Sequence, residues 1–189
     1  MAYGLRPVHM AGSAYNTGGF IELPIENDTL GTAIYNGGPV AYTVAATTAA
    51  TGISANDTPL DNDDSIGVLV GARWVNAAGE QKWGQYYDGV STNEASSAFG
   101  FVVPAKDVIF KIQGSAAWDR KYTGYKNLVT GSTGSTVTGN SSISLTLAAA
   151  DGTNAGLVVV GVLENGNETT STPDILVRFI DAAIQQQLG

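Results

Sequence analysis

Residues 65–89 read SIGVLVGARWVNAAGEQKWGQYYDG. Ile66, Val68 and Val70 alternate with Gly67, Leu69 and Gly71, so one side of an extended segment is strictly branched aliphatic. Ala72 and Trp74, then Trp83, Gln85 and Tyr87, continue a period of two on either side of a break at residues 76–79, Asn-Ala-Ala-Gly. Gly79 supplies a positive φ there without steric cost. The stretch predicts two antiparallel strands joined by a tight turn, with Val75 near Lys82 across the ladder and at least one of Trp74 and Trp83 buried. It is the densest hydrophobic segment, and the core is expected to form on it.

Composition supports a β-rich reading. Hydrophobic residues make up 43% of the 189, enough for a real core, and 24 are glycine. Charged residues are only 14%, below the roughly 25% typical of globular chains. A surface of Thr, Ser, Asn and Gly suits strands and loops and suits a helical enzyme poorly. The net charge of −8 repels nucleic acid and anionic membrane, so neither is expected as a partner. No apolar run is long enough to span a bilayer and no signal peptide is evident, so the chain is expected to fold in the cytoplasm where it is made. There is no cysteine, which excludes disulfides and thiolate metal sites.

Outward from the central hairpin, strands are expected at residues 20–25, with Pro24 marking an edge, and at 40–44. Residues 45–58 read as loop. Residues 99–103 and 108–112 flank Pro-Ala-Lys-Asp and read as a second hairpin. Residues 131–142, GSTGSTVTGNSS, read as a surface loop. Residues 143–147 and 174–180 read as strands, and 157–163 as a strand covered on both faces. Residues 182–188 have helical spacing. The pattern is all-β: an antiparallel barrel or sandwich with long Gly/Ser/Thr loops. Residues 1–19 read as an extended N-terminal arm, and 20–189 as a single β-rich domain in which 90–142 is a candidate hairpin-and-loop lobe.

Two groups of side chains suggest interfaces. In the arm, Tyr3, Leu5, Val8 and Tyr15 have no local apolar partner, and Pro7 keeps the chain extended. They are expected to dock on a neighbouring subunit, with Arg6 pairing a carboxylate there. Between residues 118 and 126, Trp118, Tyr122 and Tyr125 are interleaved with Arg120, Lys121 and Lys126. These residue types are enriched at protein interfaces. Rings tucked onto the core explain them equally well.

Catalytic chemistry finds little support. The one histidine, His9, lies in the arm, so a Ser-His-Asp arrangement is not expected. Asp57, Asp61, Asp63 and Asp64 lack the EF-hand pattern and read as a solvated acidic loop. Nothing brings together a pair among Glu22, Glu80 and Asp88 for glycoside hydrolysis. No catalytic residue, metal or cofactor is expected.

Several segments occur in a fixed order: MAYGLRPV at 1–8, GTAIYNGGPV at 31–40, GVLVGARWVNAAGEQKWGQYY at 67–87, DVIFKIQ at 107–113, GLVVVGVLENGN at 156–167 and ILVRFID at 175–181. In that order they resemble the small virion structural proteins of tailed phages, especially aquatic ones, taken to be head decoration or cement proteins. The resemblance covers most of the chain and rests on strand and turn patterns without catalytic signatures. It implies a β-rich protein on the capsid surface that binds the major capsid protein, with a homotrimer or other homo-oligomer among the arrangements it admits. Apart from the resemblance, the residues describe a soluble β-rich binding or structural module. A carbohydrate-binding module with Trp74, Trp83 or Trp118 as its stacking platform is the alternative, and an enzyme a distant third.

Overall fold

The computed structural model describes residues 2–11, 19–26, 32–43, 52–56, 65–89, 98–131, 134–153, 155–164 and 168–180. Among them the protein is almost entirely antiparallel β-structure arranged as a sandwich, with no closed barrel. Strands β5 (Gly67–Val75) and β6 (Gln81–Gly84) form the central hairpin, with Arg73 opposite Trp83 and Trp74 opposite Lys82. The turn forms as its residues dictate. Gly79 has φ +77°, and the Asn76 side-chain oxygen accepts from the N–H groups of Ala78 at 3.1 Å and Glu80 at 2.9 Å.

The first sheet is built on β5. Strand β7 (Phe99–Pro104) runs along one side of it; β3 (Pro39–Thr43) and then β6 share the other. Strand β2 (Ile21–Pro24) pairs with β7, and β4 (Gly52–Ala55) pairs with β3. Pro24 lies on an edge strand, where its missing N–H costs no ladder bond. The sheet curls until its two edges touch. Ile25 bridges Ile53, and the Glu26 N–H donates to the Ile53 carbonyl at 3.0 Å. Among the described residues one bridge rather than a ladder joins these edges.

The second sheet has the order β1 (Arg6–Met10), β8 (Val108–Gln113), β13 (Asp174–Phe179), β12 (Leu157–Val162) and β9 (Lys126–Asn127). A small pair, β10 (Val129–Thr130) and β11 (Ser144–Leu145), stands beside it. Two cores result. Leu69, Ala72, Trp74, Tyr87 and Val102 fill the inside of the curled sheet. Val68 and Val103, from the outside of the same strands, meet Phe110, Ile175, Val177 and Phe179 of the second sheet.

A bulge decides which residue goes where. The pairing of β5 with β7 shifts between Leu69 and Gly71, so Val70 is the extra residue. Without it Leu69, Gly71 and Arg73 would share a face. With it Leu69, Ala72 and Trp74 turn inward, and Arg73 turns out. The aliphatic face read from the sequence is therefore split: Val68 serves one core and Trp74 the other.

The structure corrects several expectations. Residues 99–104 and 108–113 form no hairpin with each other. The chain crosses between sheets at residues 105–107, where the Ala105 N–H bonds the Ile66 carbonyl and Asp107 adopts φ +60°. The described residues of 90–142 accordingly form no separate lobe: β7 belongs to the first sheet, and β8 and β9 to the second. Residues 52–55, expected as loop, form β4 around the buried Ile53. Strand β12 is not covered on both faces, since Val160 is 39% exposed. The described part of the Gly/Ser/Thr tract is fastened: Gly134 bridges Ser141 and packs flat on Tyr35, where a Cβ would fall 2.1 Å from the ring. The helical spacing at 182–188 lies outside the described residues.

The largest correction concerns the N-terminal segment. It is extended, but β1 is the edge strand of the chain's own second sheet, with Arg6 opposite Lys111 and Met10 opposite Val108. Leu5 is fully buried between the sheets, and its N–H donates to the Gly37 carbonyl at 2.8 Å. The partner that Leu5 lacks locally is thus supplied by the fold rather than by a neighbour. Tyr15 lies outside the described residues. Leu5→Ala is expected to destabilise the isolated protein by about 2–5 kcal/mol, as buried leucines do. Urea unfolding checks this, and an unchanged midpoint would return the segment to the status of a free arm.

Candidate binding surface

The bulge that sends Trp74 inward also builds an exposed aromatic surface. On the outward face of the first sheet, Arg73 lies between Phe99 on β7 and Trp83 on β6, and Phe101 lies between Gly71 on β5 and Glu22 on β2. The Trp83 and Phe101 rings are 5.8 Å apart with an interplanar angle of 21°, and Phe20 packs on Phe101 at 5.2 Å. Gly71 leaves room for this row, because a Cβ there would come within 3.2 Å of the Phe101 ring. Arg73 sits 4.2 Å from the centre of the Phe99 ring and is ion-paired with Glu22. Both partners are partly exposed, so the pair contributes at most about 1 kcal/mol. Its geometric effect is to keep a cation over the ring.

The row is exposed. Trp83 is 65% exposed and Phe20 61%, whereas Trp74 is buried at 7%. The second sheet covers Val68 and Val103 at one end of these strands and leaves the aromatic end open. Contiguous apolar surface of this kind marks interaction sites, since covering it gains about 25 cal/mol per Å².

The residues singled out from sequence are dispersed. Tyr3 lies over the second sheet, donates to Asp174, and has the Lys111 ammonium 5.4 Å from its ring centre. Burial, then the bond to the Asp174 carboxylate, push its phenol far above the ordinary value. Arg6 donates to Asn36 and Asn140, so it fastens the N-terminal strand to two of its own loops rather than reaching a neighbour's carboxylate. Val8 is half-buried within β1. Trp118 and Tyr122 are half-buried against the inter-sheet core, Trp118 just before and Tyr122 at the end of a 3-10 turn, Arg120–Tyr122, that Asp119 caps by accepting from the Lys121 N–H. Arg120 and Tyr125 remain exposed.

Phe20, Phe99, Phe101 and Arg73 were not expected at a site. Phe99 and Phe101 are visible as an alternating pair, but only the bulge fixes which side they take. Among the described residues no three His, Cys, Asp or Glu side chains converge as metal ligands, and no helix is long and apolar enough to cross a membrane. The acidic run at 57–64 lies outside the described residues. No family model, curated protein or solved structure matches the chain.

The two hairpin tryptophans should respond oppositely to truncation. Trp74→Ala is expected to cost about 3–5 kcal/mol, and Trp83→Ala under about 1.5 kcal/mol, the worth of its ring pairing. Chemical denaturation of both variants measures this, and equal losses would contradict the assigned faces.

Proposed function

We propose that this chain is a non-catalytic virion structural protein that decorates the outer surface of a tailed-phage head, with the row Phe20–Phe101–Trp83 as its contact with the major capsid protein. The observation that carries the reading is this exposed aromatic surface on a rigid sheet, flanked by the Arg73–Glu22 pair. Large aromatic anchors beside an arginine are the residues that dominate protein interfaces. The order of segments along the chain, which resembles decoration proteins, supplies the partner. Stabilisation follows from mass action: a molecule that binds only the assembled shell, and touches more than one capsid subunit, raises the cost of separating them. In this reading the protein is made in the host cytoplasm and resides on the virion.

The exposure of Trp83 also favours the second reading, a carbohydrate-binding module, because sugar rings stack on a flat solvent-facing indole.

Both readings are tested with heads lacking the protein. Saturable binding is expected, together with a higher temperature of genome release. Trp83→Ala combined with Phe101→Ala should weaken attachment about 30-fold or more, the loss of a binding hot spot. Unchanged attachment of the double variant would contradict the assigned surface. Hits on a glycan array, with no binding to heads, would favour the carbohydrate reading.

A further inference from the structure

The bulge at Val70 is held by a segment outside its own strand pair. Residues 36–38, Asn-Gly-Gly, lead into β3 and bond β5 where the register slips. The Gly37 N–H donates to the Leu69 carbonyl at 2.8 Å, and the Leu69 N–H donates to the Gly38 carbonyl at 3.0 Å. The extra residue of a bulge is left out of the ladder. Here its carbonyl finds a donor in the Asn36 side chain, whose Nδ2 lies 3.4 Å from the Val70 oxygen.

Asn36 is in turn oriented by the N-terminal strand. It is buried, so both ends of its amide need partners. Arg6 donates to the Asn36 Oδ1 through one guanidinium nitrogen and to the Asn140 Oδ1 through the other. A guanidinium only donates and a backbone carbonyl only accepts, so a single orientation of the Asn36 amide satisfies Arg6 and Val70 together. The backbones beneath are in close contact: a Cβ on Gly4 would fall 2.6 Å from the Gly37 oxygen, and one on Gly37 2.8 Å from the Tyr3 oxygen. A second path runs from Asn36 towards β6. Its N–H donates to the Gly139 carbonyl at 3.0 Å, and its carbonyl accepts from the Ser141 N–H at 2.8 Å. Gly139 packs on the Tyr86 ring and beside Gln85, two residues beyond Trp83. Tyr86 stacks on Tyr35 at 5.4 Å. Asn36 thus reaches the strand that carries Arg73 directly, and the chain just after Trp83 through Gly139.

We infer that Asn36 and Arg6 are positioning residues for the aromatic row, and that seating of the N-terminal strand on residues 36–38 sets the row in its binding form. Neither residue belongs to the row: Asn36 is buried, and Arg6 lies on the second sheet. They act through the bulge, whose phase puts Arg73 and Trp83 on the outward face. Contiguous hydrogen bonds and close packing carry such coupling between distant segments. The effect on shell attachment rests on the decoration reading; the effect on Trp83 in the free protein does not.

Fluorine NMR of the full chain carrying fluorinated tryptophan tests it, with each of the three tryptophan resonances assigned by a Trp→Phe variant. Asn36→Asp keeps an oxygen for Arg6 but sets a carboxylate oxygen against the Val70 carbonyl, so it breaks the bond to the bulge alone. The Trp83 resonance is expected to move or split, while that of Trp118, packed on the inter-sheet core, stays in place. Arg6→Met, which keeps the aliphatic stem, should displace Trp83 in the same way. Arg6→Lys, which keeps the charge without the two-pronged donor, should displace it less. Ile175→Val, which loosens the inter-sheet core without removing a hydrogen bond, should leave Trp83 unmoved. Attachment of Asn36→Asp to heads should weaken about tenfold, although no residue of the row has changed. The Arg6 variants carry the test if Asn36→Asp does not fold. An unmoved Trp83 resonance in the folded variants at both positions overturns the inference, and so does an equal displacement by Ile175→Val. A displaced Trp83 with undiminished attachment upholds the positioning role and contradicts the row as the shell contact.

Discussion

The extra residue at Val70 is the constraint on which the molecule depends. Strand β5 is shared by two cores, and side chains in a regular strand alternate faces. Continued unbroken past Leu69, that alternation would carry Arg73 into the curled sheet and Trp74 into water. A buried, unpaired guanidinium is costly enough to prevent that arrangement. The bulge shifts the phase by one, so Trp74 meets the Tyr87 ring edge-on at 5.7 Å and Arg73 reaches Glu22. The same shift determines that Trp83, directly opposite Arg73, is exposed. Core and surface are consequences of one local irregularity.

Much of the architecture was legible from local signals. Alternating aliphatics identified β5, β8 and β13, Gly79 located the turn, and Pro24 identified an edge. What sequence could not supply was long-range. The segment around residues 104–107 carries ordinary turn residues, but β7 and β8 find different sheets because Phe101 and Phe110 face different environments. The N-terminal residues looked unpartnered only because their partners lie far along the chain: Leu5 in the inter-sheet core, Tyr3 at Asp174, and Arg6 at Asn140. The aromatic row was missed for the related reason that a bulge leaves no mark in hydrophobic periodicity.

The two sheets present surfaces of contrasting chemistry. The first exposes aromatic rings with a single ion pair at their edge, which suits a contact stabilised by desolvation. The second carries charges of both signs among aliphatics on its outward face, with Lys126 and Arg178 flanking Val158 and Asp174 beside Lys111.

The claim on which the functional account rests is that the aromatic row is covered on attachment. Hydroxyl-radical footprinting of the free protein and of the protein bound to heads tests this directly, residue by residue. The account predicts that Trp83, Phe20 and Phe101 lose most of their reactivity when bound, while Trp74, already buried, stays unreactive in both states. Equal oxidation of Trp83 in free and head-bound protein would contradict it.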